Sequence, residues 1–243
     1  HNITGMVYVN TMDSLKIKNC NGKIYVRGFC VDGGTGESTT ETAAFVKEEG
    51  IVVENSNVVL ENCAVMRCKE AGARFSNSQV VLNRGFSAYR NYDLTGNSAS
   101  TRTDNAAYGM VAYNSDIMLS GASDVSAGLA IDSPFTFSQN HTGIQLNNST
   151  LRTPFGGRGY TLEGVPILES TPAATLATIP YRQLYADIML NTNIGLECNN
   201  STVDVYHTLM VYQNTTGIKA TNSNLILDEI VCDHNDEVGM ETD

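Results

Sequence analysis

Apolar and polar residues alternate through most of this chain, in short runs that recur from a glycine. Counted from that glycine, offsets +1 and +3 are apolar or small: Ile51 and Val53, Ala73 and Phe75, Ile218 and Ala220. Offsets +8 and +10 are apolar again: Val58 and Leu60, Val80 and Leu82, Val203 and Val205, Leu225 and Leu227. A weaker third set follows at +14 and +16: Ala64 and Met66, Phe86 and Ala88, Leu209 and Val211. Alternation with a period of two places every second side chain on one face of a strand. Each repeat is therefore expected to hold three short strands separated by turns.

The phrase that carries this pattern is Gly, apolar, any, apolar or small, any, Asn, Ser, any, apolar. It starts at Gly50, Gly72, Gly109, Gly143, Gly195 and Gly217. A further copy opens at Gly239 and stops with the chain. The intervals between successive glycines are 22, 37, 34, 52, 22 and 22 residues. The basal repeat is thus about 22 residues, and each longer interval is either one repeat plus an insertion or two repeats of which one has lost the phrase. Three strands in each 22 residues, repeated along the chain, predict an all-β fold: a right-handed, single-stranded parallel β-helix, each coil stacked about 4.8 Å from the next. Leucine-rich, ankyrin and helical repeats do not fit this frame.

The Asn-Ser pairs are Asn55-Ser56, Asn77-Ser78, Asn114-Ser115, Asn148-Ser149, Asn200-Ser201 and Asn222-Ser223. Asn tolerates the left-handed backbone region better than other residues with a side chain, so the pair is expected at a sharp corner. Stacked in every coil, the amides are expected to bond as a ladder along the axis. The repeated Gly is expected to mark a second corner. These are structural assignments, and no catalytic role follows from them.

One elongated domain over residues 1–243 is expected. Residues 1–49 read as a degenerate N-terminal region, with Val7 and Val9, Leu15 and Ile17, and Ile24 and Val26 alternating before a Gly- and Thr-rich loop. Segments 93–107, 121–141 and 154–192 interrupt the repeat. The last holds Pro154, Pro166, Pro172 and Pro180, which excludes a regular helix or a central strand.

Composition adds limits on partners. Of 243 residues, 26 are Asp or Glu and 15 are Lys or Arg, for a net charge of −11. Such a surface repels phosphate backbones and anionic bilayers, so nucleic acid and membrane insertion are not expected. No run of 18 apolar residues occurs. The chain opens at His1 without a charged-then-apolar leader. The six cysteines, Cys20, Cys30, Cys63, Cys68, Cys198 and Cys232, show no C-x-x-C spacing. They read as small buried hydrophobes, with no metal or other cofactor implied.

The Gly-apolar and Asn-Ser-x-apolar coil resembles the pectate-lyase-like superfamily of right-handed β-helices, over roughly residues 50–243. That resemblance implies fold more than activity: the superfamily holds polysaccharide lyases, galacturonases, bacteriophage tailspike, baseplate and fibre proteins, and adhesins. The galacturonase patches are missing. Asn191-Thr192-Asn193 is the nearest match and lacks the acid that would protonate a leaving group. The acidic run Asp228, Glu229, Asp233, Asp236 and Glu237 lacks the Arg that a calcium-dependent lyase needs beside it.

Offset +12 aligns Asn62, Arg84, His207 and Glu229, and offset +17 aligns Arg67, Tyr89, Tyr212 and His234. His207, Glu229 and His234 are the candidate catalytic residues if the chain is an enzyme, since a His beside a carboxylate can move protons. The +17 stripe offers itself to a surface glycan or a protein. Matches to N-x-Ser/Thr, such as Asn147-Asn148-Ser149 and Asn214-Thr215-Thr216, arise readily in an Asn- and Ser-rich coil.

Bare strand edges at either end of a parallel stack invite association, so a longer polypeptide or covering partners are expected. The leading functional expectation is a structural protein of a virion: a bacteriophage tail, baseplate, fibre or capsid-associated component. It would act in assembly or host-surface contact, at the virion or extracellular surface, with other virion proteins or copies of itself as partners. Trimers are implied by resemblance to phage β-helices. A polysaccharide lyase or hydrolase of the tailspike type, and a cell-surface adhesin, are the alternatives.

Overall fold

The computed structural model describes residues 7–9, 14–34, 47–91, 107–120, 135–153, 157–161, 166–168, 181–182, 185–205 and 208–243. Among these residues every regular element is a strand.

The glycine-led runs form one eight-stranded sheet, here the first face. Its strands are β2 (Leu15–Lys18), β5 (Glu49–Glu54), β7 (Ala71–Ser76), β9 (Tyr108–Tyr113), β12 (Thr142–Asn147), β18 (Ile194–Asn199), β21 (Thr216–Thr221) and β24 (Val238–Thr242), in that order. All pairings along it are parallel, with Ile51 level with Ala73, Met110 level with Ile144, and Leu196 level with Ile218. β7 pairs with β9, β9 with β12, and β12 with β18. The intervals of 37, 34 and 52 residues are therefore each one repeat plus an insertion.

A 13-stranded sheet supplies two further faces. The second runs through β3 (Lys23–Arg27), the first half of β6 (Asn57–Met66), the first half of β8 (Gln79–Tyr89), β10 (Asp116–Ser120), β13 (Thr150–Arg152), β19 (Thr202–Val205) and β22 (Asn224–Leu227). The third runs through β1 (Val7–Val9), β4 (Phe29–Asp32), the second halves of β6 and β8, β11 (Phe135–Ser138), β17 (Tyr185–Met189), β20 (Thr208–Tyr212) and β23 (Ile230–Asp233). Strands of one repeat thus pair in parallel with the same strands of the next, and the whole is solenoid-like.

The inserted segments leave at two kinds of corner. Residues 35–46 and 92–106 lie between a third-face and a first-face strand, outside the described residues. Residues 121–134 and 154–184 lie between a second-face and a third-face strand. The end of the proline-containing segment rejoins the stack, because Tyr185–Met189 pairs with β11 on one side and β20 on the other. Within that segment β14 (Gly157–Thr161), β15 (Pro166–Leu168) and β16 (Tyr181–Arg182) make a small antiparallel sheet. Its central strand has no proline, and Pro166 starts an edge strand, where a missing N–H costs least.

The inward positions build one continuous core, including Val53, Phe75, Leu146 and Cys198 from the first face, Leu60, Leu82 and Leu119 from the second, and Phe86, Phe137 and Val211 from the third. The third set departs from the expected offsets in the repeat that begins at Gly50. There Cys63 and Val65 belong to this core, while Ala64 and Met66 join Cys30 in a separate cluster against Tyr89. A bulge explains the slip: Glu61 is level with Asn83 but Cys63 is level with Phe86, so Arg84 and Gly85 together face Asn62. Gly85 and Asn62 both have positive φ, 127° and 51°. With one residue fewer at this corner, β6 turns over beyond Asn62, while β8 keeps Phe86 and Ala88 inward.

Candidate functional site

The corners position every outward side chain, so they come first. The Asn of each Asn-Ser pair adopts the left-handed conformation, with φ between 46° and 50° at Asn55, Asn77, Asn114, Asn148, Asn200 and Asn222. Asn19 is a further member, at φ 54°, hidden from the phrase because Cys20 replaces its Ser. The amides do not form the continuous ladder expected of them. They are mostly exposed, and amide-to-amide bonds join Asn55 to Asn19 and Asn114 to Asn77.

The serines run continuously. Ser56 N–H donates to Ser78 Oγ, Ser78 to Ser115, Ser115 to Ser149, Ser149 to Ser201 and Ser201 to Ser223, at 3.0–3.2 Å. Each Oγ–H donates to the carbonyl two residues back.

A second, buried amide ladder sits where the third face turns into the first. It consists of Asn91, Asn140, Asn191, Asn214 and Asn235, headed by Cys68. Asn140 Oδ1 accepts from the N–H and the Nδ2 of Asn91, while its own Nδ2 donates to Ala88 O and to Asn191 Oδ1. All the bonding capacity of a fully buried amide is thereby used. The residue before each Asn is left-handed: Arg90, Gln139, Leu190, Gln213 and His234, with Arg67 before Cys68. Sequence reading missed this ladder. Asn91 and Asn214 share offset +19, but insertions and one-residue slips scatter the rest.

The repeated Gly is not a corner in the sense expected, since it lies in a strand and has no positive φ. Its reason is close approach. A Cβ on Gly50, Gly72, Gly109, Gly143 or Gly195 would stand 2.5–2.7 Å from the carbonyl oxygen of the glycine in the next repeat. At Gly72, Gly109, Gly143 and Gly195 it would also meet an amide nitrogen of the buried ladder at 2.7–2.9 Å.

Of the candidate catalytic residues, the two that are described, Glu229 and His234, stand apart. His207 lies outside the described residues. Glu229 is exposed and precedes β23, its carbonyl accepting from Leu209 N–H. Leu209 is level with Ile230, which sets Glu229 beside Thr208. His234 is exposed at the other end of β23, five residues on, or about 16 Å along an extended strand. Its Nδ1 lies 2.7 Å from Asp233 Oδ2, and both side chains are largely in water.

The +17 alignment also shifts: Tyr89 is level with Met66, and Tyr212 with Asp233. Asn191, of the Asn-Thr-Asn match, belongs to the buried ladder, as does Asn214 of one glycosylation match. No group of three or more His, Cys, Asp or Glu among the described residues is placed to hold a metal ion.

The six thiols are free. Burial pushes those of Cys30 and Cys63 up to about 11, and those of Cys68 and Cys198 to about 12. Charge is concentrated in designed-looking pairs between neighbouring strands. Arg67 engages Asp32 through two nitrogens in a shielded setting, where Lys47 Nζ also donates to Asp32 O. Arg152 does the same with Asp116 at 2.8 Å on the second face. On the first face Arg74 bonds Glu49 and Glu54, and Lys18 reaches Glu54 at 2.9 Å. The hydrogen bond from Lys18, then Arg74, holds the Glu54 carboxyl below its usual value.

Further along the first face the ion pairs give way to amides. Gln145 Nε2 donates to Glu197 Oε2 at 2.7 Å, Asn147 Nδ2 to Gln145 Oε1 at 3.1 Å, and Asn199 Nδ2 to Asn147 Oδ1 at 3.3 Å. The phenol of Tyr108 is raised chiefly by burial and then by the charge of Glu197. Tyr113 stands beside them, 39% exposed.

No protein-family model, no curated protein and no solved structure matches this chain. Among the described residues no helix is long and apolar enough to cross a membrane.

Proposed function

We propose that the chain is a right-handed, single-stranded parallel β-helix serving as a structural component of a virus particle, of the bacteriophage tail, baseplate, fibre or capsid-associated kind. Right-handedness rests on the strong preference of parallel crossover connections for that hand. The observation that carries the structural role is the pair of corner ladders. Serine hydroxyls at one corner and buried asparagine amides at the other bind repeat to repeat, whatever is inserted between. Side chains spent on stacking favour a rigid spacer or mount. An adhesin would use the same scaffold. A polysaccharide-cleaving enzyme would need an acid–base pair, and Glu229 and His234 stand at opposite ends of β23.

The proposal places the chain at an exterior surface, with virion proteins or its own copies as partners. Peptide mass spectrometry of purified particles tests it. The chain is expected at a fixed ratio to the major structural proteins through successive density gradients. Its loss on purification would contradict the reading.

A further inference from the structure

The first face carries a patch that a scaffold does not require. Between the ion pairs of Arg74 and the Lys219–Glu241 pair, the outward residues of β9, β12 and β18 include Tyr108, Tyr113, Gln145, Asn147, Glu197 and Asn199. Only Glu197 is charged, in a chain of net charge −11. The polar atoms are already fixed to one another: Gln145 to Glu197, Asn147 to Gln145, and Asn199 to both Asn147 and Glu197. Groups held in place before a ligand arrives lose little freedom on binding.

We propose that this patch binds a neutral polysaccharide, with Tyr113 against the C–H face of a sugar ring and the amides exchanging hydrogen bonds with its hydroxyls. A tyrosine offers a broad apolar face beside a polar tip. An amide both donates and accepts, as a sugar hydroxyl does. Ionic ligands are poorly served: the bordering cations, Lys219 beside Glu197 and Arg74 beside β9, are already paired with Glu241 and with Glu49 and Glu54, and the carboxylate of Glu197 already accepts from Gln145 and Asn199. A protein partner would want an apolar centre, whereas Tyr113 lies between Ser76 and Asn147 on the adjoining strands. Asn147 is level with Tyr113 and with Asn199 on adjoining strands. A chain lying along the stack therefore meets a new polar group about every 4.8 Å. The site does not depend on the virion reading, since it uses only side chains of one face.

Native electrophoresis through gels containing dextran, hydroxyethyl cellulose or galactomannan, against a plain gel, tests the site. Retardation is expected in at least one of the three. It should weaken about tenfold or more in Y113A and in Q145A, and stay unchanged in Y25A, whose tyrosine is 70% exposed on the second face. Tyr113 is exposed, so Y113A should fold; an unchanged circular dichroism spectrum confirms that. Migration unaffected in all three gels would overturn the proposal, as would retardation that Y113A and Q145A retain. Self-association abolished by Y113A, seen in sedimentation without polysaccharide, would reassign the patch to a protein partner and overturn it as well.

Discussion

At the scale of single residues, two asparagine populations do different work. Asn148 is exposed and supplies a left-handed corner, φ 48°. Asn191 is buried and bonds through its amide to Asn140, Asn214 and Phe137. Asn148→Gly should therefore change stability by only a few tenths of a kcal/mol, because Gly adopts that conformation freely. Asn191→Ala orphans several buried groups and should cost about 3 kcal/mol or more. Denaturant midpoints of the two variants check the contrast. The repeat glycines divide the same way. A Cβ at Gly143 would lie 2.6 Å from Gly195 O, whereas at Gly239 it meets only Cys232 atoms at 3.7 and 3.8 Å. Gly143→Ala is expected to cost about 3 kcal/mol and Gly239→Ala less than about 0.5 kcal/mol. Equal losses would refute close approach as the reason for the phrase.

At the scale of elements, the sequence made the strands legible because alternation and the Asn-Ser corner are local. Ile51 with Val53 and Val58 with Leu60 face the core as their offsets require. Slippage between repeats was not local. The residue pair Arg84 and Gly85 facing Asn62 moved Ala64 and Met66 outward and put Tyr89 beside Met66. A similar slip separates the level pair Val205 and Leu227 from the level pair Leu209 and Ile230. It put Glu229 beside Thr208 and took Tyr212 out of line with His234. A fixed period of 22 cannot register such shifts, so the catalytic alignment depended on a regularity the strands do not keep. The buried ladder escaped notice for the same reason: Asn140 and Asn191 follow insertions of different lengths. The polar patch of the first face was unreadable too, since Gln145 and Glu197 lie 52 residues apart.

At the scale of the molecule, one core runs through the repeats, and the buried thiols in it and beside it make the fold sensitive to alkali. Folded Cys30 and Cys63 titrate at about 11, and Cys68 and Cys198 at about 12, against 9.0 in an unperturbed thiol. The unfolded chain thus releases these protons first. Their contribution is fully present below about pH 9 and is lost as pH rises through the folded values. The denaturant midpoint should fall between pH 8 and pH 11, and fall less steeply in Cys198→Ala; parallel slopes would show that this thiol does not matter. The central claim is that repeats stack directly, whatever lies between them. Thr150 and Thr202 are 52 residues apart in sequence yet level on adjoining strands β13 and β19. If the interval hid a second repeat, they would be about 9.6 Å apart, too far for a disulfide. Oxidation of the T150C/T202C variant, followed by peptide mass spectrometry, decides between them. A 150–202 disulfide formed in the native protein is the predicted result; its absence under oxidation, with the fold intact, would contradict the stacked arrangement.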